Sequence, residues 1–418
     1  MCIRDRHKDG VSNGSFVLTG TINNWYNVPN GSSQYFFSAQ VVASTGVEKY
    51  IEQIFFDNVP VLAVPVKADG VVPKEALISR FQDVLQLEVR FGSDDYTTTS
   101  TLAKQYAGTK WTDKFYGKGV VAVYAVIKKT QNSLENNILT NDNYNMTVEL
   151  KGQEIYDFYT GTKFATSCPV SQIYDYLTNP IYGMGLDTQL INTDSFIECA
   201  AYCNSVGLYS NGAISYQDTY KKNIENILQT FAGITYVHAG QICLTVDRKT
   251  LSVHTFDESN IVGDLKVTTS GNQDYYNTLD CQFCSVKNSY ASDVIRIPSD
   301  ISTDDVIKSD GQVIPLSRDF SWIYSEDTVE KIANSELRKA RFAGKTVTFT
   351  SSEAWDLKVW DSITIKNTEL GINGKFKILN KSVATDQQNI GYCQISAVEY
   401  PDACLLYTSD AADEARSV

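Results

Sequence analysis

The run VVAVYAVIKK, Val120 to Lys129, limits what this chain can become more than any other stretch. It is almost continuously apolar and mostly β-branched. It falls well short of the roughly 20 residues a membrane-spanning helix needs. A short apolar run without alternation fits a strand buried on both faces. Such a strand requires a layer on each side, so its neighbours must be strand-forming as well. TINNWYNV, QYFFSAQVV, YIEQIFFDNVPVL and LQLEVRFG precede it. Turn material such as Pro29-Asn30-Gly31 and Gly92-Ser93-Asp94 separates them. With 25 Tyr and 18 Phe against 3 His and 3 Met, composition leans the same way, because aromatic and β-branched side chains favour strands. The expected class is α+β, β-rich and multidomain.

At 418 residues, roughly 100–200 per domain gives two to four domains. A net charge of −13 with no cluster of Lys and Arg argues against a nucleic-acid partner. No window holds ~18 consecutive apolar residues, so no membrane-spanning helix is expected. The nine cysteines are scattered, and free thiols in a reducing cytosol are the simplest reading. MCIRDR and CLLYTSDAADEARSV at the two ends read unlike the rest and resemble translated adapter sequence. We therefore divide the chain into 1–9 and 404–418 as artefact, 10–165 as β-rich, 166–260 as α+β with two helices and a hairpin, and 261–403 as β-rich with one long helix.

The middle region changes period. Ser195 to Glu198 has the spacing of a capping box, and Phe196, Cys199, Ala200 and Cys203 then share one helical face. Ile224, Ile227, Leu228 and Phe231 make a second helical stripe, with Gly233 at the expected C-terminal cap. ITYVHAGQICLTVD reads as a hairpin around Ala239-Gly240. A long helix is expected from about Glu326 to Phe342, with Val329, Ile332, Ala333, Leu337 and Ala340 inward. TVTFT, DSITIKN and KFKILNKSVA follow as three antiparallel strands. The polar stretch from Ala103 to Gly119 reads as a connection or lid.

Candidate chemistry is thin. Cys281 and Cys284 with Cys199 and Cys203 have the count of a four-thiolate site, but a strand would send Cys281 and Cys284 to opposite faces. Buried thiols are the preferred reading. His238 and His254 lack any nucleophile motif around them. Asp293, Asp300, Asp304 and Asp305 read as a solvated loop. Lys339 to Lys345 is the densest basic run, placed at a helix end where cations complement the dipole. No catalytic, cofactor or metal residue is assigned.

The order of motifs resembles the tail tip attachment, or host specificity protein J, family of lambda-like siphophages. Asp175-Tyr-Leu-Thr-Asn-Pro-Ile-Tyr-Gly-Met-Gly-Leu186 is similar to its "DYLTNPxYGxGL" signature, preceded by Cys168-Pro169 where the family usually has Asn-Pro. Lys151-Gly-Gln-Glu-Ile-Tyr-Asp157 resembles its "G-x-x-(V/I)-Y-D" strand, and the Phe196 to Cys203 helix its "F-x-x-A-A-x-x-C". Trp111-Thr-Asp with Gly117-Lys-Gly-Val-Val-Ala resembles "WT…GxGxAYL", Asn277 opens an "N-x-V"-like strand, and Glu330 to Arg341 stands at the "AxRxAxxxLxxxR" helix. The likeness runs over about residues 15–403. One departure is Trp360, in Leu357-Lys-Val-Trp360-Asp361, where the family has Gly.

The signature also has a physical reading. Pro180 pushes Asn179 out of the α region and stops a helix there. Gly183 and Gly185 permit a close path, and Tyr174, Tyr176, Leu177 and Tyr182 supply buried area. Asp175, Tyr176, Leu177, Asn179, Pro180, Tyr182, Gly183 and Gly185 are thus expected to form a geometric corner that fixes how two domains meet. The resemblance implies tail-hub folds, β-barrel-like domains with inserted α+β elements. It implies a virion protein at the tail tip, made in the host cytoplasm, closing the tail tube as a homotrimer. Partners would be the distal tail protein, other tail tip proteins and a host surface receptor reached through a C-terminal region beyond this stretch. Two other readings stay open. One is a cell-wall-degrading hub enzyme, the other a carbohydrate-binding adhesin using Trp111, Phe115 and Tyr116.

Overall fold

The computed structural model describes residues 10–400 except 14, 22–25, 31–32, 45, 108–110, 142–143, 216, 270–274, 289, 343 and 384–390. Both expected artefact ends and part of TINNWYNV lie outside the described residues. The chain is β-rich α+β, and it divides into two compact units. Unit 1 takes 1–167, 181–183 and 210–223; unit 2 takes 168–180, 184–209 and 224–418.

The strands up to residue 215 are β1 (Gly10–Asn13), β2 (Ser15–Thr21), β3 (Tyr26–Asn30), β4 (Ser33–Ser44), β5 (Ile51–Phe56), β6 (Val59–Pro60), β7 (Gly70–Val71), β8 (Leu85–Arg90), β9 (Val120–Lys129), β10 (Asn145–Lys151), β11 (Ile155–Tyr156), β12 (Lys163–Phe164) and β13 (Gly212–Ser215). Two short helices join them, α1 (Thr101–Tyr106) and α2 (Gln131–Glu135). Strand β9 is central in the sheet β3-β4-β9-β8-β7, antiparallel to β4 and β8. Val121 through Ile127 are all buried, as a two-faced strand requires. Ala122, Tyr124 and Val126 point to the side where Leu102, Ala103 and Tyr106 of α1 close the core with Phe37. A second sheet runs β2-β10-β5-β6.

The sequence reading missed both helices. The stretch read as a connection or lid begins with α1, whose start is fixed by a buried acid. Glu88 of β8 accepts from Ser100 Oγ at 2.7 Å, Leu102 N at 2.8 Å and Thr101 N at 3.1 Å. A carboxylate at this end complements the helix dipole. Thr130 and Ser133 form a reciprocal capping box that starts α2. The run YIEQIFFDNVPVL is not one strand. Asp57 and Asn58 have φ of 48° and 66° and turn it into the β5–β6 hairpin.

The helices after residue 168 are α3 (Pro169–Thr178), α4 (Thr193–Val206), α5 (Tyr220–Gln229), α6 (Asp305–Asp310) and α7 (Glu326–Arg341). The strands are β14 (Gly233–His238), β15 (Gln241–Val246), β16 (His254–Phe256), β17 (Val262–Thr269), β18 (Thr278–Ser285), β19 (Ala291–Ile297), β20 (Pro315–Phe320), β21 (Lys345–Ser351), β22 (Ser362–Asn367), β23 (Ile372–Val383) and β24 (Cys393–Glu399). The hairpin forms as read, with Ala239 and Gly240 both at positive φ between β14 and β15. The three expected strands form in one sheet as β21, β22 and β23, with β22 and β23 paired antiparallel, but β21 is not the neighbour of β22. Strand β24 inserts between β23 and β21 in the order β16-β22-β23-β24-β21-β17, and β16 joins β22 in parallel. Phe256, Phe349, Phe376 and Ile395 lie in the core of this sheet.

Two helix starts and stops differ from the sequence reading. Asn192, not Ser195, caps α4, and its side chain accepts from Ser195 N at 3.0 Å. Ser195 Oγ is used elsewhere, accepting from Leu244 N of β15 at 3.1 Å. Gly233 opens β14 instead of capping α5, and the left-handed residue is Ala232, with φ 53°. Gly is needed at 233 for space, since a Cβ would overlap the Phe231 ring. In α7 Val329, Ile332, Ala333 and Leu337 are buried as expected, while Ala340 is half-buried.

The three-stranded sheet β19-β18-β20 hangs on Asn277, which is fully buried. Its Nδ2 donates to Asp310 Oδ2 at 2.7 Å and Gln312 O at 2.9 Å; its Oδ1 accepts from Ile314 N at 2.8 Å and Thr278 Oγ1 at 3.1 Å. An Asn277→Ala chain is expected to lose about 2–4 kcal/mol of unfolding free energy, because buried partners are left unsatisfied. Urea unfolding measures this, and a loss below about 0.5 kcal/mol would show that the network carries no stability.

Candidate functional site

The signature segment is a helix stop folded back on itself. Pro169 takes the first helical position, where its missing N–H costs nothing. Val170, Ile173, Tyr176 and Leu177 bury one face of α3, which packs on α4. Asn179 is held extended at ψ 122°, as the residue before proline must be. The chain then reverses. Met184 N donates to Tyr176 O at 2.8 Å, Leu186 N to Leu177 O at 2.9 Å and Gly185 N to Asn179 O at 3.1 Å. Asp175 O accepts from Asn179 N at 2.8 Å. Carbonyls that a helix end leaves unpaired are thereby satisfied. Gly185 takes φ 63°, and a Cβ there would lie 3.4 Å from Pro180 Cα. Tyr176 and Leu177 are buried; Asp175, Asn179, Tyr182 and Gly183 are half-buried; Pro180 and Gly185 are exposed. The segment offers no general base, nucleophile or phosphate cradle.

Asp157, last residue of the Lys151 to Asp157 motif, has a clear task. Its carboxylate accepts from Tyr159 N at 2.6 Å and Thr166 Oγ1 at 2.7 Å, closing the β11–β12 turn.

Cys199, Cys203, Cys281 and Cys284 do not gather into one site, and neither His238 nor His254 joins them. Cys281 is buried and Cys284 half-buried on alternate sides of β18. Cys199 and Cys203 lie in the buried face of α4. Burial pushes the Cys199 and Cys281 thiols up to about 12 and Cys203 well above its ordinary value, which keeps them protonated and unreactive. His238 ends β14, and His254 Nε2 lies 2.9 Å from Glu353 Oε2. Among the described residues no three His, Cys, Asp or Glu side chains gather as a metal site would.

The acids and bases read as solvated or dipole-serving are more specifically used. Asp304 caps α6 and pairs with Arg341 Nη1 at 2.9 Å. Burial pushes its carboxyl up, but the Ile307 N–H and Arg341 outweigh this and hold it below the usual range. Asp300 accepts from Ser302 Oγ as a loop acid does, whereas Asp293, expected in the same solvated loop, is half-buried in β19 and accepts from Asn288 Nδ2. Lys339 is spent on Asp247, so the basic run is not an anion patch. Of the adhesin aromatics, Trp111 turns inward, edge-on to Phe37 and Tyr124, with Nε1 donating to Thr99 Oγ1 at 2.6 Å. Phe115 is 50% exposed and Tyr116 half-buried.

Asp247, just after β15, is the centre of a buried charge cluster in unit 2. Only 4% exposed, it accepts from Lys339 of α7 and from Trp360 Nε1 at 3.1 Å. Lys377 of β23, 2% exposed, donates to Thr250 Oγ1 at 2.8 Å and Arg248 O at 3.3 Å. Trp360 takes φ 72°, the left-handed conformation glycine favours. So the backbone keeps the glycine-type turn and the indole is added to it. Strain of about 1–2 kcal/mol for a non-glycine residue is offset by a hydrogen bond to a charged group, worth about 1.5–3 kcal/mol.

Residues 219–380 match the family model described as "Putative phage tail protein". That span carries Asp247, Asn277, Lys339, Arg341, Trp360 and Lys377 together. No curated protein matches the sequence. Among solved structures, a chain of the "Virion of native gene transfer agent (GTA) particle" superposes with a TM-score of 0.63 at 11% identity, covering 97% of this chain and 87% of that chain. At that identity the likeness is one of fold, and it extends over nearly the whole chain. The tail protein from Neisseria meningitidis MC58 gives TM-score 0.39 at 10% identity, covering 94% and 98% of the two chains. The 43 kDa tail protein of prophage MuSo2 from Shewanella oneidensis gives 0.37 at 12%, covering 96% and 100%.

Burial holds Lys377 down at about 8 from an ordinary 10.5, against the attraction of Asp247 and Asp361. Between those two values the unfolded chain binds this proton more tightly than the folded one, so this group makes stability rise with pH. A Lys377→Met chain removes the term. The stability of wild type relative to the variant should therefore climb by up to about 3 kcal/mol from pH 8 to 10.5. Urea titrations at several pH values read it; a difference that stays flat would contradict a buried, proton-losing lysine.

Proposed function

We propose that this chain is a structural component of a phage tail tip, a baseplate hub protein and not an enzyme. The observation that carries the reading is the fold shared over 97% of the chain with a chain of a gene transfer agent virion. The family match over residues 219–380 supports it from sequence. In this reading the protein is a virion component that assembles as a homotrimer, closes the tail tube, and joins the distal tail protein and other tail tip proteins to the part that meets the host receptor. Synthesis takes place in the host cytoplasm. The chemistry of the candidate residues is consistent with a scaffold. Asp304, Arg341 and Lys339 are engaged in a helix cap and ion pairs, and Trp111 in core contacts, while Phe115 is exposed. The Asp175 to Gly185 corner contributes geometry. Transmission of a signal on attachment would then be a change between two packings separated by a few kcal/mol.

Two assays separate this from the enzyme reading. Native mass measurement should give a species of three times the 46.5 kDa chain mass. The purified protein should leave a peptidoglycan suspension turbid. A monomer that clears peptidoglycan would overturn the proposal in favour of a cell-wall-degrading enzyme.

A further inference from the structure

We propose that unit 1 carries a binding site for a neutral saccharide in the cleft between the β5–β6 hairpin and the loop after α2. This rests on unit 1 alone and does not depend on the tail reading. The cleft has a volume of about 450 Å3, inside the roughly 300–1,000 Å3 range of small-molecule sites. Its floor is apolar and firm. Phe56 and Tyr144 meet edge to face at 5.7 Å, and Phe81 and Leu139 are buried beside them. Val59, 36% exposed, and half-buried Ile138 present aliphatic surface to an occupant.

The rim is polar and made of groups that work in pairs. Asn137, Asn141, Asp57 and Arg80 are all exposed and all line the cleft. Arg80 Cζ lies over the Phe81 ring, 4.5 Å from its centre, and among the described residues it has no ion-pair partner. Asp57 Oδ1 accepts from Asn145 N at 2.8 Å, which leaves Oδ2 toward the rim with Asn141 Nδ2 at 3.5 Å. Asn137 Oδ1 accepts from Thr140 Oγ1 at 3.0 Å, which leaves its amide nitrogen as a donor. The Arg80 guanidinium offers two parallel donors, and the Asn137 amide nitrogen, the Asn141 amide and Asp57 Oδ2 add donor and acceptor positions beside it, a set that matches the vicinal hydroxyls of a sugar ring. One Arg against one Asp gives no net charge, so an uncharged ligand fits better than an anion. Residues 138–141 are also held before anything binds. Ile138 N donates to Ser133 O at 2.8 Å and Asn141 N to Tyr144 Oη at 2.8 Å. Leu139 is held at φ 48°, a conformation a bulky side chain keeps only when its surroundings impose it.

The test is titration calorimetry of the full chain with neutral gluco-, galacto- and manno-oligosaccharides, and with sialylated and sulfated ones as the anionic arm. Binding of at least one neutral oligosaccharide is expected, weakened about tenfold or more in Arg80→Ala and Asn141→Ala, as loss of one hydrogen bond of this kind requires. Thermal unfolding confirms that each variant is folded, which is expected since both side chains are exposed. The proposal is overturned by folded wild type that binds no neutral sugar up to about 10 mM, by binding confined to the anionic arm, or by affinity unchanged in both variants.

Discussion

A carboxylate taken out of water must be paired, and Asp247 is paired with groups from two distant stretches of the chain. Lys339 comes from the last turn of α7 and Trp360 from the loop before β22. Lys377 enters the same region from β23, tied to the residues that follow Asp247. Three segments, up to about 130 positions further along the chain, are thereby locked to the end of one hairpin. Removing any one partner would strand a charge in a dry place, which is how a polar node enforces one arrangement where an oily core would accept several. The node also explains Trp360. A residue that breaks the glycine pattern of its turn is tolerated because its indole completes the shell around Asp247.

Unit 1 relies on a different constraint. Strand β9 has no wet face, so everything near it must either pair with it or cover it. The acid Glu88 on neighbouring β8 is buried along with it and is neutralised by the start of α1 rather than by a base. Burial of β9 therefore calls for α1, and α1 in turn uses the one acid that the sheet hides.

Much of this was legible in the sequence wherever a local period or turn chemistry decides the outcome. The two-faced strand, the hairpin at Ala239-Gly240, the helix stopped by Asn179-Pro180 and the long α7 all follow from apolar spacing and backbone rules. The misses share a cause: a distant partner overrode a local signal. Ser195 reads as a cap, but its hydroxyl is taken by Leu244, and Asn192 caps instead. Gly233 reads as a helix end, but the Phe231 ring needs its space. Asp304 reads as a solvated acid and Lys339 and Arg341 as cations at a helix end, and that end is where the helix places them, but nothing near them in sequence names their partners. The insertion of β24 beside β21 is likewise a long-range pairing. The saccharide cleft went unread, although the density of asparagine between Asn132 and Asn145 was a visible signal.

The central claim is that this chain is a tail tip scaffold, and position on a particle tests it most directly. Antibody raised against the chain, coupled to gold and imaged on purified particles that contain it, should label the end of the tail distal to the capsid. Label along the tube or on the capsid would contradict the account.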